Sequence, residues 1–324
     1  MAWPARIDIR EEGPREGFQF EKGPIATERK IELIQALALT GLKRVQTASF
    51  VDPRRVPGWA DADAVAKALR PPPGVEFGAL WLNEKGLARA AGYPALTLDG
   101  YLFMSASEVF GRRNQNRGRA EEIEVQRGMA RVYAKQGLGL TRCTIMAAFG
   151  CNFQGDIPVE EPMACIEALL GIGAQTHPGA PPPCFMLADT MAWATPGSVR
   201  RLIGAVRERW PDVPVGLHLH DTRGLAIANA AAGLDMGVVR FDAAVAGLGG
   251  CPFAKHKGAA GNICTEDLVL LCEESGVATG IDLDALAECG RLAEDVVGHP
   301  LPGRVKQGGT LKALREGIRA AKAA

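Results

Sequence analysis

Eight short runs rich in β-branched and other apolar residues alternate along the chain with longer amphipathic stretches, and this order constrains the fold more than any other feature. The runs fall at 6–11, 43–50, 75–82, 95–103, 142–149, 184–188, 213–218 and 238–244. Helices are predicted at 27–39, 60–69, 83–91, 107–136, 160–172, 196–209 and 222–236. In the first of them Ile31, Ile34, Leu37 and Ala38 recur at the three-and-four spacing of one helix face. Strand–helix alternation repeated in this way predicts an α/β fold, a closed parallel (β/α)8 TIM barrel rather than an open sheet. The 324 residues suit one such barrel with additions. Further helices at 265–275, 283–297 and 310–321 supply the added material. No composition break divides the chain. Residues 1–300 therefore read as one barrel domain that includes a Gly- and Cys-containing loop at 245–262, and 301–324 as a C-terminal helical extension.

Composition narrows the function. Hydrophobic residues make up 47% and charged residues 23%, enough apolar material for a large core. Lys+Arg and Asp+Glu balance at 37 each, so a nucleic-acid partner is not expected. No apolar run reaches the roughly 18–20 residues of a spanning helix, so no membrane partner is expected either. The first residues, MAWPARIDIREE, are charged early and do not read as a secretory or transit leader. Eight scattered cysteines without a CxxC pair point to reduced thiols and a cytoplasmic enzyme. Six of them (Cys143, Cys165, Cys184, Cys264, Cys272 and Cys289) fall in apolar stretches and are expected to be packing residues.

Three stretches carry the polar chemistry. In His218-Leu219-His220-Asp221, at the end of the seventh run, residues i and i+2 share a strand face, so two imidazoles converge where one divalent cation could bind. A hydrogen-bonded histidine pair is the alternative. At the end of the first run stands Glu11-Glu12-Gly13-Pro14-Arg15-Glu16-Gly17, where Arg15 could grip a carboxylate or carbonyl and Glu16 could offer a hard oxygen ligand. A solvated loop with surface ion pairs is the alternative there. The loop 245–262 is rich in glycine and holds Cys251, a thiol able to exchange a proton or an inert member of a lid. Asn262 and Glu266 follow it as ligand or cap candidates. Asp189 and Thr190 close the sixth run, where an acid/base role and a capping role both fit.

Taken in order, GPREGFQFEK, TASFVDPRRVPGWADA, ADT, HLHDT, VAGLGGCPFA and GN…TEDL resemble the 3-hydroxy-3-methylglutaryl-CoA lyase family, within the wider superfamily of isopropylmalate and homocitrate synthase barrels. The resemblance spans about Ala5 to Pro300, and the glycine–cysteine loop is its most specific part. It implies a (β/α)8 barrel, a divalent metal, Mg²⁺ or Mn²⁺, held by Glu16, His218, His220 and Asn262, and an acyl-CoA substrate. It implies catalytic roles for Cys251, Arg15, Asp189 and Glu11, substrate contacts from Arg15, Gln46 and Thr190, and a homo-oligomer, dimeric or larger. The implied reaction is a retro-Claisen cleavage of a 3-hydroxy-3-methylglutaryl-CoA-like thioester to acetyl-CoA and a keto acid, with His218 or Asp189 as base. A related substrate such as citramalyl-CoA, a Claisen-condensing acyltransferase and a non-catalytic barrel are the alternatives. The chain departs from the family pattern by Glu16 in place of Asp, Gln46 in place of an acid, and a longer 254–258 segment.

Overall fold

A computed structural model describes residues 2–21, 23–249 and 261–323. Eight parallel strands form the sheet: β1 (Asp8–Glu11), β2 (Arg44–Ser49), β3 (Glu76–Leu80), β4 (Gly100–Ser105), β5 (Leu140–Met146), β6 (Cys184–Ala188), β7 (Val215–His218) and β8 (Arg240–Ala243). Their order is β3-β2-β1-β8-β7-β6-β5-β4, so first and last strands pair and the sheet curls into the (β/α)8 barrel. Helices cross between the strands: α1 (Gly13–Gly17), α2 (Thr27–Leu37), α3 (Ala62–Ala68), α4 (Glu84–Ala90), α5 (Glu108–Gln115), α6 (Arg119–Lys135), α7 (Glu160–Thr176), α8 (Pro196–Arg209) and α9 (Ala226–Asp235). After β8 come α10 (Thr265–Glu274), α11 (Leu283–Val297), α12 (Val305–Gly308) and α13 (Leu311–Ala323).

The alternation read from sequence holds, with local differences that have physical causes. The helix predicted at 107–136 is two helices. Asn116 turns left-handed (φ 56°) and ends α5, and Gly118 opens α6 by donating its N–H to the Glu121 carboxylate at 2.9 Å. The strand predicted from 95 starts only at Gly100, because the chain is still turning there: the Leu96 N–H donates back to the Tyr93 carbonyl at 3.0 Å. The helix predicted from 222 starts at Ala226, whose N–H the Asp221 carboxylate accepts at 2.8 Å. The end of the first run closes into the buried turn of α1 and not into a solvated loop.

One apolar cluster unites the barrel with its helices. Leu33, Ile34 and Leu37 of α2, Val45 of β2, Phe77 of β3, Leu202 and Ile203 of α8, and Phe241 of β8 are all buried in it. Each such side chain contributes about 1.5–3 kcal/mol on burial. The six cysteines expected to pack are buried free thiols. Past α11, Leu301 and Val305 are buried, while α13 buries no residue and leaves Leu311, Leu314 and Ile318 exposed. Among the described residues no helix is long and apolar enough to cross a membrane.

The seam between β3 and β4 carries no ladder of its own among the described residues. It is bridged by the Thr97–Phe77 bond and by the Tyr101 hydroxyl, which accepts from the Trp81 N–H at 2.6 Å and donates to the Trp81 carbonyl. Trp81 in turn donates its indole N–H to the Tyr133 hydroxyl at 2.8 Å. Tyr101→Phe leaves two backbone groups of Trp81 unpaired and is expected to cost about 1–3 kcal/mol. Urea denaturation followed by tryptophan fluorescence checks this.

Candidate active site

Every candidate side chain that the structure describes gathers toward the carboxyl ends of the strands. β1 ends on Glu11 and the chain closes at once into α1. Pro14 suits the start of that turn, where its fixed φ helps and its missing N–H costs nothing. Gly13 is required by crowding: a Cβ there would lie 2.5 Å from the Glu11 carboxylate and 3.0 Å from the Val245 nitrogen. All five residues of α1 are buried, so Arg15 and Glu16 are carried inward. The Trp59 indole donates to the Arg15 carbonyl at 2.7 Å and fixes the turn.

β7 ends on His218, and His220 follows two residues beyond it, bridged to Asn262. Their ring centroids are 5.1 Å apart and the planes nearly perpendicular. His218 is the register partner of Asp242 on β8, and its Nδ1 lies 3.1 Å from the Asp242 carboxylate. His220 Nδ1 faces the carbonyls of Asp189 at 3.0 Å and Thr190 at 2.8 Å. A carbonyl only accepts, so Nδ1 carries the proton and Nε2 presents a lone pair. That lone pair lies 3.4 Å from Glu16 Oε1, another acceptor. Two acceptors at this separation need a cation or a proton between them. One ligand atom from each of Glu16, His218 and His220 falls within 4.8 Å of the others, so the donor set fits a divalent cation.

Asn262 is brought alongside by backbone pairing. The Asp221 N–H donates to the Gly261 carbonyl at 2.7 Å and the Ile263 N–H to the Leu219 carbonyl at 2.9 Å. The Asn262 amide nitrogen then donates to Glu16 Oε1 and to the Leu248 carbonyl, both at 3.0 Å, so its oxygen is the atom it can offer to a cation. Gly249 (φ 88°) makes the close approach possible: a Cβ there would lie 2.8 Å from the Asn262 amide and 3.1 Å from Glu16 Cγ.

Charge sets the protonation of these groups. Burial alone would raise the Glu16 carboxyl, but Arg15, His218 and His220 outweigh it and hold the group well below the usual carboxylate range. Burial opposes charge on His218 too, yet the Asp242 bond and the charges of Glu16, Asp242 and Glu12 push its imidazole up to about 9. Burial pushes Asp189 up to about 6, opposed in part by His220 and by the amides of Ala194 and Trp193. Those amides occupy Oδ1, at 3.0 and 2.7 Å, and leave Oδ2 buried without a partner.

The remaining candidates sit around this centre. Arg15 Nε donates to the Gln46 side-chain oxygen, and Arg15 Nη2 reaches Glu16 at 3.2 Å. The Thr190 hydroxyl accepts the Ala147 N–H at 2.8 Å. Glu11 turns to the foot of the glycine–cysteine loop, where it accepts from the amides of Gly13 (2.7 Å) and Val245 (2.8 Å) and from the Thr265 hydroxyl (2.6 Å). Glu266 accepts from the Ala246 amide in the same turn at 2.9 Å. Cys251 lies outside the described residues. The sequence reading passed over Glu12, Arg142 and Asp242. The available signal was charge inside two apolar strand runs, since Arg142 and Asp242 interrupt β5 and β8.

A (β/α)8 barrel with a carboxylate–imidazole donor set and an adjoining guanidinium at its carboxyl face defines the class of a cation-assisted barrel enzyme. The chain belongs to the HMGL-like family, which matches residues 6–293. It is 36% identical to hydroxymethylglutaryl-CoA lyase of Bacillus subtilis over 94% of this chain and 97% of that one. It is 35% identical to the human mitochondrial hydroxymethylglutaryl-CoA lyase over 94% of this chain and 90% of the other. An HMG-CoA lyase of Acinetobacter baumannii, solved with coenzyme A and 3-methylmalate, superposes with a TM-score of 0.84 at 34% identity, covering 96% of this chain and 97% of that one.

Burial pushes the Glu11 carboxyl from 4.5 up to about 8, with the Glu266 charge adding to the rise and its three hydrogen bonds opposing it. Folding therefore takes up a proton at Glu11 between these values, and stability falls as pH rises through that window. Gln at this position keeps an uncharged oxygen for the Gly13 and Val245 amides, and its NH2 donates to the Thr265 hydroxyl where the carboxylate accepts from it. Glu11→Gln should gain Tm over the wild type progressively from about pH 4.5 to about 8 and no further above it, as read by calorimetry across that range.

Proposed function

We propose that the protein is a divalent-metal-dependent carbon–carbon lyase that cleaves 3-hydroxy-3-methylglutaryl-CoA, by a retro-Claisen reaction, to acetyl-CoA and acetoacetate. The observation that carries the reading is the convergence of Glu16, His218 and His220 beside the Arg15 guanidinium in a chain whose relatives are HMG-CoA lyases. The cation is taken to be Mg²⁺ or Mn²⁺, because Glu16 and Asn262 offer oxygen beside the two imidazoles. When bound, it supplies Lewis-acid polarisation of substrate oxygens.

The protein's own residues divide the remaining work. In this reading Asp189 takes the C3 hydroxyl proton; no protein hydrogen bond competes for its Oδ2. As the C3 oxygen becomes a carbonyl, the C2–C3 bond breaks and its electron pair passes to the thioester as an enolate. Arg15 neutralises that enolate charge; loss of one such preorganised donor typically costs about 3–4 kcal/mol in the barrier. Cys251 returns a proton to C2 from the loop whose foot Glu11 and Glu266 hold. Gln46 and Thr190 line the substrate side, Gln46 through its bond to Arg15. Free thiols at every described cysteine support a cytoplasmic setting, and the family resemblance supports a homo-oligomer.

Incubation with 3-hydroxy-3-methylglutaryl-CoA and Mg²⁺ or Mn²⁺, followed by mass spectrometry, should show acetyl-CoA and acetoacetate in equal amounts. No cleavage of this thioester, with turnover of citramalyl-CoA or with net condensation instead, would replace the reading. His220→Ala should lose both bound metal and turnover, measured by elemental analysis beside the assay. Cys251→Ser should lose turnover by about 10² or more with metal content unchanged, in line with removal of one acid–base group. Full activity in that variant would make the thiol a spectator.

A further inference from the structure

Glu12 lies between the reaction side of the barrel and its charged floor. Its side chain is only 4% exposed and three guanidiniums surround it. Arg15 Nη2 donates to it at 2.6 Å, while Arg10 Nε and Arg142 Nη2 both lie at 3.6 Å. His218 Nδ1 faces the same carboxylate at 3.8 Å. Glu12, His218 and Asp242 form a second group with metal-ligand spacing, but Arg15 already neutralises Glu12, and Arg142 forms a two-pronged pair with Asp242. The set is satisfied as an ion network and asks for no cation of its own.

This network holds Arg15 through two of its nitrogens. Nε is taken by Gln46, and Nη2 is shared by Glu12 and Glu16. Among the described residues Nη1 takes none of these bonds. A long, flexible side chain is thus pinned on two of its three nitrogens, and Gln46, which has no charge, cannot hold a guanidinium as firmly as a carboxylate does. We infer that Glu12 is a positioning residue for the lyase reaction: with Gln46 it clamps the Arg15 guanidinium in one orientation and keeps Nη1 free for the thioester oxygen. The inference rests on the role given to Arg15 under the proposed function. Neutralising Glu12 leaves Arg15 held only by the Gln46 amide and by the longer Glu16 contact at 3.2 Å, and removes no group that meets substrate or cation. Moving the charge to position 46, where the side chain already meets Arg15 Nε, restores the clamp from the other side.

The test compares wild type, Glu12→Gln, and Glu12→Gln/Gln46→Glu. Glu12→Gln should lower kcat by about 10²-fold, the loss that a displacement of about 1 Å causes. KM for 3-hydroxy-3-methylglutaryl-CoA and the Mn²⁺ affinity should both stay within about twofold, as expected for an interaction realised only in the transition state. The double variant should recover most of kcat. In protein labelled with ¹⁵N-arginine, the Arg15 Nη signals should be distinct in wild type and in the double variant, and averaged by rotation in Glu12→Gln. Unchanged kcat, a kcat loss that tracks lost Mn²⁺ or unfolding, or an unaltered Arg15 spectrum would each overturn the role of Glu12. If the wild type itself does not cleave the thioester, the functional reading falls, and the Arg15 spectra alone decide whether Glu12 clamps it.

Discussion

A buried ion pair across the barrel fixes the geometry on which the site depends. Arg142 on β5 meets Asp242 on β8 through two guanidinium nitrogens, so the strands are joined through their side chains as well as through the sheet. Burial would disfavour both charges, yet each holds the other ionised: Asp242 stays well below the usual carboxylate range and Arg142 well above its ordinary value. Such a pair is weak evidence for stability, because desolvation consumes much of its attraction. Its value is orientation. Asp242 also faces His218 Nδ1, so the pair sets the direction of a ring that would otherwise turn about two bonds.

Register explains why these groups meet. Arg10, Asp242 and His218 occupy one level of the barrel, since β1 pairs Arg10 with Asp242 and β7 pairs His218 with the same residue. Parallel strands keep register partners on one face, so three charged or titratable side chains crowd together. Glu12 stands two residues beyond Arg10, close enough to reach it, and the turn of α1 brings Arg15 back over Glu12 at three-residue spacing. The same turn places Glu16 against His220. A single helical turn after β1 therefore joins the charged floor to the ligand set above it.

The sequence made the strands and the histidine pair legible because both are local patterns. Period-two spacing identifies His218 and His220 without knowledge of any other strand, and β6, α8 and α11 lie where apolar spacing puts them. α1 escaped because five residues are too few to show helical periodicity. The break at Asn116–Gly118 escaped because neither residue excludes a helix by itself. Glu12, Arg142 and Asp242 escaped for a different reason. Apart from local contacts of Glu12 with Arg10 and Arg15 and of Arg142 with Thr144, their partners are 100 or more residues away, and no spacing rule predicts which charges a closed barrel brings together. For Glu11 the residue was legible but its surroundings were not: its carboxylate lies against the amides of Gly13 and Val245, under the loop.

Charge balance ties these parts together. Around Arg15 the network sets Arg10, Arg15, Arg142 and the protonated His218 against Glu12, Glu16 and Asp242, so the cations outnumber the anions by one. Glu11 and Glu266 lie close by, but burial pushes them up to about 8 and about 7, so at neutral pH they add less negative charge than their number suggests. Dry surroundings tolerate such a paired cluster far better than an unpaired ion. They also make it sensitive to any added charge, because little solvent screens the interaction. A cation held by Glu16, His218 and His220 would displace the His218 proton, so the positive charge beside Arg15 would rise by less than the ion's own charge.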